Sequence, residues 1–476
     1  MSAKLRTLTG LSLAALLLAG CATLEDPLKA PREALPAAYD DRTDSANVAT
    51  LDWRVYFSDP LLVQLVDSAM VRNLDLRMAL QRVEVARAGA RFARGEQLPT
   101  VGANVSAAQR RYGLYTMDGA GNISTEILPG QVVPIDLPDY YLALQASWEV
   151  DIWGRLRNQR KAAMARYMAS HEARHMVMTN LVADVAVAYY ELVALDNELE
   201  IIRETVTKQR EALEVVIQQK EAGRSNELAV QQFEAQMLGT QSLEKVFQQR
   251  VLETENLINF LLGRYPQPIA RGSGALQAPM PADLSVGLPP QLLRNRPDIR
   301  VAEYELLATR FDLKAARAAF YPKLNLTAGY GFQSFNTDLL FETPSSIAYQ
   351  MVGGLAAPLI NRNALKARFA AASAQQLEAM HGYQQRILGG YVEVVNELND
   401  LRNLREAMEL KRQQSGTLQR SVDTSRELYR SAKANYIEVL LAQQNALQAN
   451  IELVEMSKRQ RFAMIDLYKA LGGGWR

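Results

Sequence analysis

Cysteine is nearly missing from this chain: its 476 residues include one, Cys21. That excludes an intrachain disulfide framework and any zinc cluster built on cysteines. Histidine is almost as scarce, with His171, His175 and His381 as the full set, which leaves little material for a metal enzyme. Neither sign of charge prevails. The 53 Lys and Arg against 52 Asp and Glu give no basic footprint for nucleic acid. With 48% hydrophobic and 22% charged residues the chain is not a disordered one either. Glycine (27) and proline (18) are few and clustered, as in long helices with few interruptions. At roughly 150 residues per domain, the length allows about three globular domains or one elongated architecture.

The apolar run at the amino terminus, Leu11 to Gly20, is about half the ~20 residues that span a bilayer as a helix. It follows Lys4 and Arg6 and ends at Cys21, which is the form of an export signal. Leu18-Ala19-Gly20-Cys21 resembles the bacterial lipobox. The resemblance implies a signal peptide over 1–20, cleavage before Cys21 and acylation of that cysteine. Two or three acyl chains hold a protein stably on a membrane. Ala22, where inner-membrane lipoproteins carry Asp, points by the same resemblance to the outer membrane. The plainer alternative is an ordinary signal peptide with an incidental cysteine.

Two halves of the remaining chain repeat each other. Leu74-Asp75-Leu76-Arg77, followed after a spacer by Leu98-Pro99, matches Pro297-Asp298-Ile299-Arg300, followed after an equal spacer by Tyr321-Pro322. Gly223-Arg224-Ser225-Asn226 recurs 209 residues later as Ala432-Lys433-Ala434-Asn435. A repeat this long is a duplicated unit, not a solenoid module. The expected organisation is a lipid-anchored segment at 21–60, a first repeat at 61–263, a Pro- and Gly-rich linker at 264–290 and a second repeat at 291–472.

Each half holds very long helical stretches. Leu181, Val185, Ala188, Leu192, Leu195, Leu199, Ile202 and Val206 follow alternating four–three spacing, the seam of a coiled coil. Ile387, Tyr391, Val394, Leu398 and Leu401 answer it in the second half. Between Gly154 and Gly223 there is neither proline nor glycine, and at 1.5 Å per residue that stretch reaches about 100 Å if continuous. Such a length suits a rod or a tube wall.

Short segments of period two interrupt the helices. Leu142, Leu144, Ala146, Trp148 and Val150 alternate with small or polar residues, as do Leu324, Leu326, Ala328, Tyr330 and Phe332. One greasy face over about 10 residues is the pattern of a transmembrane β-strand. The strands are expected at about 100–115, 139–151, 323–335 and 346–358, with turn-rich loops at Asp118 to Asn122 and Asn336 to Asp338. Two hairpins of a soluble sheet are the alternative. Four strands cannot close a barrel, and lipid does not tolerate an open edge. Two chains would give a barrel filled by its own side chains; three would leave a channel.

The stretch Leu288 to Glu303, reading LPPQLLRNRPDIRVAE, and the junction Trp148-Glu149-Val150-Asp151-Ile152-Trp153-Gly154-Arg155 resemble the signatures of TolC-like outer-membrane efflux proteins, specifically the NodT-type lipoproteins. The resemblance runs from about 51 to 472. It implies an α+β, predominantly α fold: a long-helix α-barrel, with four strands per protomer contributed to a 12-stranded trimeric transmembrane β-barrel. It also implies a homotrimer that docks on a periplasmic adaptor and an inner-membrane RND transporter and uses no cofactor. Export of drugs or other small molecules would be driven by that pump. On this resemblance the hairpin turns are the periplasmic tips that form gate and docking surface, carried here by Gly223, Arg224, Asn226, Glu227, Tyr429, Lys433, Asn435, Tyr436 and Glu438. Gly223 suits a left-handed helix end and Asn226 can cap the next helix. Ala432 stands where the family usually has glycine, and Leu441 where some members carry a second gate carboxylate.

Two other readings compete. His171-Glu172-Ala173-Arg174-His175 fits HExxH, whose imidazoles share a helix face and whose Glu could activate a zinc-bound water. A third ligand is lacking: His381 is in the other half, and Glu191 and Glu198 lie too far along the same helix. The motif reads as a coincidence on a polar helix face, with no metal expected. A lipid-anchored periplasmic adaptor also combines an anchor with a coiled-coil hairpin, but it has one hairpin, whereas this chain has two.

Overall fold

The computed structural model describes residues 35–39, 45–272, 274–278, 285–358, 360, 362–431 and 433–476. Cys21 with its signal segment, and Ala432, lie outside them. In the first half α1 (Pro60–Arg72) and α2 (Leu74–Gly95) precede β1 (Thr100–Arg111). Next come α3 (Met117–Asn122), β2 (Glu126–Leu128) and β3 (Gln131–Val132), then β4 (Asp136–Val150), α4 (Arg155–Glu221) and α5 (Glu227–Leu261). The second half supplies α6 (Pro297–Ala318), β5 (Lys323–Ser334), β6 (Ile347–Ala356), α7 (Asn363–Arg430) and α8 (Tyr436–Ala470). Lengths match between the halves: 22 residues in α2 and α6, 67 and 68 in α4 and α7, 35 in α5 and α8. The turn-rich stretch Asp118 to Asn122 lies inside the short helix α3. Thr116 starts it, its hydroxyl accepting a hydrogen bond from Gly119 N at 3.1 Å, so a good cap outweighs two glycines.

The chain divides into two compact units, each drawn from both halves of the sequence. One comprises 85–167 and 304–380 and contains an antiparallel sheet in the order β1-β4-β5-β6. Its register sets Leu142 opposite Phe332, Leu144 opposite Tyr330, Trp148 opposite Leu326 and Val150 opposite Leu324. Val105 and Ala103 continue the row on β1, and Tyr349 and Leu355 on β6. Because side chains alternate along a strand, these pairings place every predicted greasy residue on one face. Gln145, Asn325 and Gln350 occupy the other. Much of the greasy face is exposed: Val105 is 76% exposed, Leu144 60%, Tyr330 58% and Met351 81%, while Leu142, Leu324, Leu326 and Phe332 are half-buried by their neighbours in the row. A soluble sheet packed on helices would have covered it.

The other unit comprises 168–303 and 381–476 with the described residues before 85, and it is helical. The eight seam residues from Leu181 to Val206 are all buried. Several of them pack with Trp53, Leu62, Val66, Ile258 and Ile465. Val394, also buried, has Ile387, Tyr391, Leu398 and Leu401 half-buried around it, beside Leu292, Ile299 and Leu467.

Candidate functional site

The two helical turns set 209 residues apart are built alike. After α4 the backbone wraps: Gly223 N donates to Lys220 O at 2.9 Å and Arg224 N to Gln219 O at 2.7 Å. This double closure needs a left-handed residue, and Gly223 supplies it at φ 69° without a Cβ penalty. Asn226 then starts α5, its side chain accepting from Ala229 N at 2.9 Å. After α7, Lys433 N donates to Leu428 O at 2.8 Å, the counterpart of the Arg224 bond. Asn435 precedes α8 without a side-chain cap, unlike Asn226 at the first turn.

Chemistry differs between the turns. In the first, Lys220 and Glu227 form an ion pair across the hairpin, and hydrogen bonding to Lys220 holds the Glu227 carboxyl below the ordinary carboxylate range. The second has Tyr429 and Tyr436 at the matching positions, packed against Val216, Phe233 and Val439. Arg224, Lys433 and Glu438 are exposed, as is Leu441. Lys220 went unnoticed in the sequence. Its signal was a cation and an anion seven residues apart across a turn.

The WEVDIWGR stretch joins sheet to helix. Both carboxylate oxygens of Asp151 accept from the first free amides of α4, Leu156 N at 3.0 Å and Arg157 N at 2.7 Å. Trp153 stacks on Tyr321 at 4.7 Å and donates its indole N–H to Pro322 O at 2.8 Å. The Trp148 indole donates to Gln97 O at 3.0 Å. Each tryptophan thus keeps an apolar body and a satisfied polar edge, as at a membrane interface. Arg155 donates to both oxygens of Glu149, at 2.9 and 2.8 Å.

The RPDIR residues have a structural task that the sequence did not disclose. Arg296 is 7% exposed and donates to Asp298 at 3.0 and 2.8 Å, to Glu393 at 2.6 Å and to Ala470 O at 2.8 Å. It ties the start of α6 to α7 and to the end of α8. Gly390 of α7 makes room, since a Cβ there would stand 3.1 Å from Arg296 Nε. Arg300 pairs with Glu172 at 2.8 Å, and Glu172 also contacts His175 Nδ1 at 3.1 Å. Burial alone would raise the Glu172 carboxyl, but His175 and Arg300 outweigh it and hold it below its ordinary range. His175 stacks on Trp475 at 4.5 Å. The HExxH glutamate therefore faces an arginine of the RPDIR motif. His381 is exposed, Glu191 pairs with Lys458 at 2.9 Å, and Glu198 is buried, which pushes its carboxyl up to about 7. Among the described residues no group of three His, Cys, Asp or Glu could hold a metal ion.

The family model for the outer membrane efflux protein matches residues 65–264 and 288–473. The solvent efflux pump outer membrane protein SrpC of Pseudomonas putida is 30% identical over 470 residues, covering 97% of each chain. The cation efflux system protein CusC of Escherichia coli K12 is 30% identical over 431 residues, covering 90% of each. The open-state MtrE outer membrane channel of Neisseria gonorrhoeae matches in three dimensions with a TM-score of 0.81 at 25% identity, over 96% of this chain and 99% of that one.

Proposed function

The chain belongs to the outer membrane efflux protein family and is an outer-membrane efflux channel, and we propose that it works as a homotrimer fed by a periplasmic adaptor and an inner-membrane RND transporter. The observation that carries the shared barrel is the open sheet, and three copies are the smallest number that leaves a channel through it. Among the described residues the order β1-β4-β5-β6 leaves the outer edges of β1 and β6 unpaired. Edges of that kind are not tolerated in hydrocarbon, so β1 of one copy pairs with β6 of the next until the ring closes. Three copies give twelve strands, with the row of Leu142, Leu144, Trp148, Leu324, Leu326, Tyr330 and Phe332 toward lipid and the amide-rich face around water. Acylated Cys21 adds an anchor in the same membrane. In this reading the chain does no covalent chemistry: the pump supplies energy, and drugs or other small molecules pass through.

Native mass of the detergent-extracted outer-membrane fraction tests the assembly. A lipidated trimer is expected, and a monomer would overturn it.

The turn residues Gly223, Arg224, Asn226, Glu227, Tyr429, Lys433, Asn435, Tyr436 and Glu438 form the periplasmic gate in this proposal. Reversing two exposed charges together, Lys433→Glu with Glu438→Lys, keeps net charge and is expected to change drug export severalfold. The readout is the minimum inhibitory concentration of a pump substrate at equal protein abundance. Unchanged resistance would remove this pair from the gate.

A further inference from the structure

In the unit that contains the sheet, a hollow of about 460 Å³ opens where β5 begins and β6 ends. Arg155, Lys323 and Arg368 line it, together with Ala319, Pro358 and Leu365. That volume is within the range that takes small organic molecules. The register places it on the amide-rich side. Lys323 shares a face with Asn325 and pairs with Ala356, while the greasy row runs through Leu324, Leu326 and Leu355 on the opposite face.

Charge there is unbalanced. The Glu149 carboxylate receives Arg155 at 2.8 Å and lies 3.8 Å from Lys323, so one anion faces two cations. Arg368 is exposed and forms no ion pair with a described residue. Leu365 and Arg368 belong to the first two turns of α7, the end of a helix that carries partial positive charge. Cationic groups beside an apolar floor are complementary to an amphiphilic anion.

We infer that this hollow is a transit site for small amphiphilic anions, with the apolar body on Ala319, Pro358 and Leu365 and a sulfonate or carboxylate on Lys323 and Arg368. That the site lies on the transport route rests on the conduit reading; the binding itself does not.

The test uses full-length protein in nanodiscs of zwitterionic lipid, dialysed to equilibrium against 2-naphthalenesulfonate. Wild type is expected to bind one probe per chain, less tightly as salt rises. Lys323→Gln with Arg368→Gln keeps side-chain bulk and removes two charge-assisted contacts, so binding should weaken about tenfold or more. The neutral 2-naphthalenesulfonamide should bind wild type equally weakly. Equal binding by the double variant, or by the neutral probe, would overturn the site. Displacement of the sulfonate by phosphatidylglycerol in the disc would also overturn it, by assigning the hollow to lipid headgroups. Native mass of the same discs reads the conduit separately. A monomer that still binds the probe sinks the trimer and leaves the site standing, whereas a trimer without binding sinks the site alone.

Discussion

Leu144→Arg is expected to abolish stable insertion in the outer membrane, while Asn325→Arg on the opposite face leaves it intact. Leu144 is near the middle of β4, between Ala103 of β1 and Tyr330 of β5. An arginine facing lipid at the midplane of a barrel costs about 2–4 kcal/mol, falling toward zero at the interfaces. In the proposed trimer each of the three copies bears that cost. Leu326→Arg should be milder than Leu144→Arg, because Leu326 pairs with Trp148 toward the end of the strand where the tryptophans lie. Asn325 carries a polar side chain already exposed on the other face, which the proposed barrel turns toward water, so a charge there is tolerated. The amount of each variant in the outer-membrane fraction, and its resistance to urea extraction, decide the matter. Equal behaviour of Leu144→Arg and Asn325→Arg would break the assignment of faces, and with it the barrel.

Arg296→Ala is expected to destabilise the helical unit by about 2–3 kcal/mol: it leaves the largely buried Asp298 carboxylate and the Ala470 carbonyl without their donor, while the Glu393 carboxylate, 56% exposed, returns to water. Asp298, Glu393 and the Ala470 carbonyl all lose their donor at once, in a space that α7 opens at Gly390. Arg296→Lys should recover only part of this, since an ammonium cannot make the two parallel bonds to Asp298 and still reach Glu393 and the carbonyl. Thermal unfolding of the detergent-purified protein, followed by helix signal, measures it. An alanine variant within about 1 kcal/mol of wild type would show that RPDIR is not a clamp.

What was legible in the sequence was local and periodic. Leu324 to Phe332 announced a two-faced strand because alternation is a property of consecutive residues. The seam from Leu181 to Val206 announced a buried helix stripe for the same reason. Gly223 and Asn226 marked a turn because each has a backbone geometry few other residues accept. The duplication followed from matching the chain with itself.

Long-range partners were another matter. That β4 of the first half pairs with β5 of the second, joining the repeats in one sheet, depends on how the strands meet in space. Arg296 meets Glu393 across 97 residues, and Arg300 meets Glu172. Neither pairing leaves a trace in composition or period. Each carboxylate had many arginines to choose from, and only the packing of α4, α6, α7 and α8 brought one within hydrogen-bond reach. The sequence alone thus determined the long elements, their faces and the repeat, since these follow from neighbours along the chain. The tertiary structure decided which charges meet, because hydrogen bonds and ion pairs act over a few ångströms and sequence distance carries no record of them.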